Sequence, residues 1–429
     1  MTNASADAWS EVGYGQLVRQ NTMFRRLWLG NIVSLLGDWF NTIALYALVL
    51  ELTGSELALG AVFISKMLPS GLASPVAGLL VDRLNRRRVM IGADVLRAVV
   101  VLGFLVIDQA SEVWLLYTLV VLQTVIGSVF RPAQNSSVPN ITAPNELVTA
   151  NALMAATWST MLAFGAAAGG IATEYLGLQA VFILDSLTYL LSAWFIWRTV
   201  IPQDTDPVPA EPGVLRTAAR DVIEGWKHMV RRPEIGRMAL AKATWAIAGG
   251  GLVFLLALMG EAIEPAAASV AIGVLFAARG VGTGIGPIAA RALARDRRHW
   301  PFILGACISF SGLCYLVIGL VPWSYWIVGL IVLGHATSGA NWVLSNVLLQ
   351  ERTEDRWRGR VFATEWLTVM AADTVAILSA SLLLEWDLMT LAPVVMLLGG
   401  LQIISGIIWI AAVVPAERRW SRARVPGRS

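Results

Sequence analysis

Charged side chains are scarce in this sequence. They make up 14% of 429 residues, against about a quarter in a typical soluble domain. The chain is 56% hydrophobic and its mean hydropathy is +0.66. One water-soluble core cannot hold that much apolar surface, so the shortage of charge points to a polytopic membrane protein. Cysteine is nearly missing too. Cys307 and Cys314 lie seven residues apart inside one apolar segment, which fits neither a disulfide framework nor a metal-ligand spacing. A net charge of +3 is too small to suggest nucleic acid as a partner. The polar N-terminus, MTNASADAWSEVGYGQLVRQ, lacks the apolar region of a cleavable signal. No G-x-x-x-x-G-K-[ST] run is present, so a P-loop ATPase is excluded. No nucleophile–base or metal-ligand cluster recurs at useful spacing, which argues against an enzyme, a metal site or a bound cofactor.

What is present is a series of apolar runs. Twelve segments of membrane-spanning length stand out, near 27–51, 57–81, 89–108, 113–131, 147–172, 178–199, 237–261, 268–291, 300–320, 323–349, 361–385 and 390–414. They do not alternate in polarity, so they are helices rather than barrel strands. Arginines crowd alternate connections: Arg83, Arg86, Arg87 and Arg88; Arg295, Arg297 and Arg298; Arg352, Arg356, Arg358 and Arg360. The opposite connections, ELTGSE, DQASE, TEYLGLQ, EAIEPAA, VPWS and EWDLM, contain no lysine or arginine. The positive-inside rule then places both termini in the cytoplasm. This gives a cytoplasmic tail over 1–26, a six-helix bundle over 27–199, a linker over 200–236, a second bundle over 237–414 and a basic tail over 415–429. Within the linker, the proline-rich IPQDTDPVPAEPG precedes an amphipathic stretch. Its apolar side is Val214, Leu215, Ala218, Val222, Ile223, Trp226, Met229 and Val230, the pattern of a helix lying on a membrane surface.

The halves repeat. Pro75 of SPVAGLLVDRLNRR and Pro287 of GPIAARALARDRR are 212 residues apart, and the same offset aligns Leu147 with Gly359 at the start of two odd-numbered spans. Duplicated six-helix units with a site between them are a transporter architecture. The expected fold is therefore all-α: twelve transmembrane helices in two pseudo-symmetric six-helix bundles.

Gly78-Leu-Leu-Val-Asp-Arg-Leu-Asn-Arg-Arg87 resembles the loop signature G-x-L-x-D-R-x-G-R-R of the major facilitator superfamily. Asn85 takes the usual glycine's place, as the next-best residue at positive φ. FRRLWLGNIVSLLGDW, PNELVTANAL, FILDSLTYLLSA and RGRVF look like the branch holding the enterobactin exporter and macrolide efflux proteins. The resemblance covers about residues 24 to 414. One departure is Ala166, where antiporters of the superfamily often carry proline. The resemblance implies a monomeric multi-pass protein of the bacterial inner membrane that exchanges an amphipathic small molecule for protons. It also implies a cytoplasmic gate at Gly78, Asp82, Arg83, Arg86, Arg87, Asp94 and Arg97. There Asp82 meets a helix end, and Arg83 and Arg87 pair with acids such as Asp94. A lipid or lysophospholipid flippase is the nearer alternative, and a non-transporting receptor or scaffold the more distant one.

A charge at mid-helix costs about 2.5–3.5 kcal/mol on insertion scales, so each needs a partner, a wet cavity or a task. Asn31, Ser34, Asp38 and Asn41 share one helical face of the first span. Gln123 and Arg131 do so in the fourth, Lys242 and Trp245 in the seventh, and His335, Ser338 and Asn341 in the tenth. The resemblance makes these four spans the cavity lining. Lys66, Arg279 and Asp373 are further buried ionisable groups, and Trp158 and Trp342 add aromatic surface, with Trp39 and Trp366, for an amphipathic ligand. Asp38 is the leading proton carrier, with Lys66 as its expected cation, and Asp373 is the second candidate.

Overall fold

A computed structural model describes residues 12–203, 214–294 and 296–423. Among these residues there are fifteen α-helices and no β-strand. A short α1 (Tyr14–Gln20) precedes the first bundle: α2 (Thr22–Thr53), α3 (Glu56–Arg83), α4 (Arg86–Leu102), α5 (Val113–Gly127), α6 (Phe130–Ile141), α7 (Leu147–Leu176) and α8 (Leu178–Trp197). A linker helix, α9 (Val214–Arg231), leads to the second: α10 (Pro233–Ile263), α11 (Ala268–Leu293), α12 (Trp300–Leu320), α13 (Ile327–Arg352), α14 (Asp355–Glu385) and α15 (Leu391–Ala423). Twelve spans are long and apolar enough to cross a membrane, with α5 and α6 forming one of them. Outward-facing apolar side chains such as Val99 of α4 and Ile408 of α15 are exposed, as expected of a surface wetted by hydrocarbon.

The repeat seen in the sequence reappears as packing. In the first bundle α2 packs on α7 and α8, and α4 on α8; in the second, α10 packs on α14 and α15, and α12 on α15. The bundles meet through α7 against α11 and α3 against α14, two contacts that the pseudo-twofold exchanges. At the first, Gly170 and Gly273 face each other. A Cβ on Gly170 would lie 2.4 Å from the Ser269 carbonyl oxygen. Only glycine permits this approach, the small-residue packing that substitutes for a hydrophobic drive inside a bilayer.

These contacts concentrate on the side of the lysine- and arginine-free connections. There Tyr46 stacks on Phe63 (centroids 4.3 Å apart), Phe63 meets Phe254 edge-on at 5.6 Å, and Tyr46 lies 5.6 Å from Phe276. The four rings come from α2, α3, α10 and α11, so they form an apolar plug shared by both bundles. Beyond it, the Glu385 carboxylate at the end of α14 accepts from the Ser55 hydroxyl (2.7 Å) and the Leu57 amide (3.0 Å) at the start of α3. On the opposite, arginine-rich side no ring contact, hydrogen bond or ion pair joins the two bundles among the described residues, and the linker helix α9 touches both α3 and α14. The bundles are thus joined at one face and left apart at the other.

Several local features differ from the sequence expectation. The fourth span does not end at 131, because α6 continues to Ile141. Pro132 falls in the first turn, where the missing N–H costs nothing, and the Ser137 hydroxyl donates to the Ala133 carbonyl. Asn85 has φ −64°, not a positive φ, and its side chain caps α4 by accepting from the Arg88 amide. The last helix runs beyond 414 to Ala423. In the linker, α9 docks on α14: Arg360 pairs with Asp221 (3.0 Å) and Glu224 (2.9 Å), and His228 stacks on Trp357 at 4.3 Å. Burial and the nearby Arg232 push the His228 pKa down, which keeps the imidazole neutral for that stack. Ile223, Trp226 and Val230 of the expected apolar face are exposed, and Met229 is buried. The side chains of Val214, Leu215 and Ala218, and most of the proline-rich run, lie outside the described residues.

The plug and the Glu385 clasp generate a test. Removing a capping carboxylate costs about 1–2 kcal/mol, a five- to thirty-fold change in a two-state ratio. Spin labels at Glu51 and Trp386 should give one short distance in the parent protein. A second, longer distance should appear in Glu385→Ala and dominate when Phe63→Ala is added. An unchanged distribution in the double variant would mean that these groups do not hold the face shut.

Candidate functional site

The polar face of α2 looks onto α4, α5, α6 and α8, and the side chains there form one connected network. Asp38 is its outermost acid. The Tyr189 hydroxyl of α8 donates to Asp38 Oδ1, and Arg97 Nη1 of α4 lies 3.8 Å from the same oxygen. Arg97 Nη2 binds Asp94 Oδ1 one turn back. The guanidinium also covers the Tyr189 ring at 4.2 Å and the Phe130 ring at 4.9 Å. Gln123 Nε2 of α5 donates to the Tyr189 hydroxyl at 3.0 Å. Asn41, one turn past Asp38, donates to Asp185 Oδ2 of α8 at 2.6 Å. Asp94 and Asp185 are fully buried, whereas the Asp38 side chain is 36% exposed. Such a network needs each charge answered, because in a low-dielectric interior an unpaired ion is costly.

Next to Asp38 is a cavity of about 120 Å3. Asn31, Ser34, Arg97, Gly127, Arg131 and Gln134 line it, and Phe130 and Leu35 supply its apolar wall. Four of the expected lining residues, Asn31, Ser34, Asp38 and Arg131, therefore meet in one place. Gln123 and Asn41 instead face α8 and bind the network from behind.

The second bundle is built differently. Lys242 and Glu365 form a buried ion pair at 2.9 Å between α10 and α14. Lys242 also donates to Asn346 Oδ1 and lies 4.6 Å from the centroid of the Trp342 ring. Trp342 meets Trp366 edge-on at 6.0 Å, and Trp245, Met370 and Met67 of the other bundle join that apolar cluster. His335 Nε2 is hydrogen-bonded to the Tyr315 hydroxyl at 2.8 Å, a buried packing contact. Ser338 bonds back to the His335 carbonyl. Asn341 is buried with Oδ1 unpartnered among the described residues, as are Asp373 Oδ1 and Arg279 Nε. Trp39 packs 6.2 Å from Phe276, and Trp158 stands apart, half-buried on α7.

Three expectations are corrected. Lys66 does not pair with Asp38: its Nζ donates to the Thr42 hydroxyl at 2.6 Å, and Arg97 is the cation beside Asp38. Arg87 does not pair with Asp94. It caps α8 by donating to the Ile196 and Trp197 carbonyls, the favourable position for a cation at a helix C-terminus. Arg86 donates to the Ser136 carbonyl at 2.8 Å, while Arg83 Nε is buried without a partner among the described residues. The Asp82 side chain lies outside the described residues. Asp94 and Arg97 thus belong to the intramembrane network rather than to the loop.

Asp185, Tyr189, Glu365 and Asn346 are the site residues that sequence reasoning missed. Asp185 and Tyr189 stand four apart in FILDSLTYLLSA, one helical face, and that spacing was the available signal.

The family model of the Major Facilitator Superfamily matches residues 27–370. The chain is 25% identical to the uncharacterized MFS-type transporter YfiS of Bacillus subtilis (strain 168), over 94% of this chain and 96% of that one. It is 24% identical to macrolide efflux protein A of Streptococcus pyogenes, over 45% of this chain and 48% of the other. Among solved structures, the crystal structure of the POT family transporter PepTSo superposes with a TM-score of 0.72 at 11% identity, covering 94% of this chain and 99% of the other. That likeness concerns the fold.

The network predicts strong coupling between Arg97 and Asp94. Arg97→Gln leaves buried Asp94 without its cation and should destabilise the protein by about 3–5 kcal/mol. Asp94→Asn added to it should recover more than half. Thermal unfolding of the purified protein in detergent measures both, and strictly additive losses would show that the pair does not act as a unit.

Proposed function

The chain belongs to the major facilitator superfamily, and from that premise we propose that this transporter exports an amphipathic small molecule in exchange for protons, with both termini in the cytoplasm. The observation that carries the reading is Asp38. It is a carboxylate at mid-helix, bound on one side by Tyr189 and Arg97 and open on the other to a cavity. A residue that merely joined helices would not be left partly exposed where charge is most costly. The likeness to a macrolide efflux protein supports export. The arginine-rich loops lie on the open side, so by the positive-inside rule the cavity opens to the cytoplasm.

In this reading substrate enters between the bundles from the arginine-rich side. Its apolar portion rests against Trp342, Trp366 and Trp245, and its polar end reaches the wall containing Asp38. Rocking of the bundles breaks the Tyr46–Phe63–Phe254–Phe276 plug and the Glu385 clasp, and the opposite side closes. Asp38 then faces the outer solution, takes a proton and releases it inside after return. One charge moved through 100 mV is worth about 2.3 kcal/mol. At about 1.4 kcal/mol per decade this sustains roughly a fortyfold gradient.

Asp38→Asn removes the titrating group and nearly preserves its shape. In vesicles with an imposed pH gradient, the variant should fall from an accumulation ratio in the tens to about one. It should still exchange substrate down a gradient. A purely structural bridge gives another outcome: pH-driven accumulation persists and only thermal stability drops. That result would remove Asp38 from the coupling role.

A further inference from the structure

The cavity beside Asp38 has an imbalance of hydrogen-bonding character. Its walls are rich in donors. Arg131 projects five N–H groups, is exposed, and has no carboxylate within ion-pair distance among the described residues. Gln134 is 4% exposed, and its Nε2 has no acceptor among the described residues. Arg97 Nε is buried and equally unpartnered. Ser34 and Asn31 add a hydroxyl and an amide to the same wall. The one acid present, Asp38, is already engaged by Tyr189 and Arg97. Charge does not oppose this: the guanidiniums of Arg97 and Arg131 stand against the carboxylates of Asp94 and Asp38, so the site is near neutral overall, and it is the unpartnered donors that favour an acceptor.

We propose that this cavity is a head-group subsite for an oxyanion, a carboxylate or phosphate, carried by the amphipathic substrate, with Arg131 as the residue that selects it. The proposal rests on the reading of the inter-bundle space as the transport pathway. A volume of about 120 Å3 is enough for such a group but is well below the roughly 300–1,000 Å3 of a pocket that holds a whole drug-sized molecule. The remainder of the substrate then lies in the wider gap, toward the tryptophans of the second bundle. A guanidinium fork suits an oxyanion better than any neutral acceptor, because two parallel charge-assisted hydrogen bonds form at once. An anionic substrate also fits export, since a negative charge leaving a negative interior moves down the membrane potential.

Two sources could supply the oxyanion, a soluble acid or a lysophospholipid, and equilibrium binding to the purified full-length protein distinguishes them. Dansyl-leucine and its methyl ester differ in one carboxylate charge. The acid should bind at least tenfold more tightly than the ester, the factor carried by a charge-assisted hydrogen bond. Arg131→Gln should bring that ratio to about one, Arg131→Lys should retain a preference for the acid, and Gln134→Leu should weaken the acid but not the ester. Unchanged thermal unfolding certifies each variant, and Gln134→Leu carries the test if Arg131→Gln does not fold. Displacement of dansyl-leucine by lysophosphatidylglycerol in an Arg131-dependent way assigns the site to lipid phosphate; no displacement assigns it to soluble acids. Equal binding of acid and ester, or a ratio unchanged in both Arg131→Gln and Gln134→Leu, overturns the proposal. No gradient is imposed, so loss of proton coupling would leave these outcomes unaffected and would count against the antiport reading alone.

Discussion

Hydrocarbon offers no hydrogen-bond partner, and the rest of this structure follows from that constraint. Backbone N–H and C=O groups must be satisfied within each span, which is why the described chain is helical wherever it is long and apolar. Side-chain charges obey the same rule at a higher level of organisation. Several of them are gathered into groups. Arg97 is flanked by Asp94 and Asp38, Lys242 by Glu365 and Asn346, and Glu417 by Arg237 and Arg352, each at 2.7 Å. Each group is closed on itself by residues from two or more helices of one bundle, so it also fixes how those helices pack. Removing one member leaves its partner charged and dry, which costs more than the pair contributes when intact.

The same constraint divides the molecule along the membrane normal. On the closed face the contact between bundles is made by aromatic rings and by glycines at backbone distance, and a polar clasp, Glu385 with Ser55 and Leu57, sits at the helix ends where water is near. Polar groups of α2 are gathered at mid-helix and toward the open face. A plug of rings is suited to a gate, since it excludes water when closed and leaves no buried ion unanswered when it parts. Glycine pairs add the close approach that makes this seal continuous.

How much of this could be read in the sequence depends on how local each signal is. Spans, their number and the polar stripe of α2 are periodic along the chain, and hydrophobic periodicity reports them directly. The duplicated unit was legible from one repeated offset at Pro75 and Pro287. The partners of the buried charges were not. Asp38 looked ready to pair with Lys66, a cation at a reasonable depth in the next span, but its neighbours Arg97 and Tyr189 arrive from α4 and α8. Helix order in a bundle is not helix order in the chain, so depth alone cannot choose among cations. Asp185 and Glu365 were passed over for a similar reason: their partners, Asn41 and Lys242, come from other helices, and nothing in their own spans announces them. Asn85 misled through analogy. Its side chain could serve positive φ or an N-cap, and the helix starting at Arg86 decided in favour of the cap.

The two bundles share packing but not chemistry, and this asymmetry limits how coupling can work. The Asp38 network is contained within the first bundle, and the Lys242–Glu365 pair within the second. No ion pair joins the bundles among the described residues. Under the proposed antiport, a proton arriving at Asp38 therefore could not shift the rocking equilibrium by making or breaking a direct salt bridge across the cavity. A ligand changes a conformational equilibrium only through its different free energy in the two states. For a proton on Asp38 that difference has to come from solvent access and from what occupies the adjoining cavity, since the Arg97 and Tyr189 contacts move with α2 as part of one body. The substrate is the group able to span the gap, with one end among the polar side chains of α2 and α6 and the other among the tryptophans of α13 and α14. In the proposed antiport, coupling is accordingly a property of the loaded cavity: charge on Asp38 would set what the first bundle holds, and the held molecule would bridge to the second.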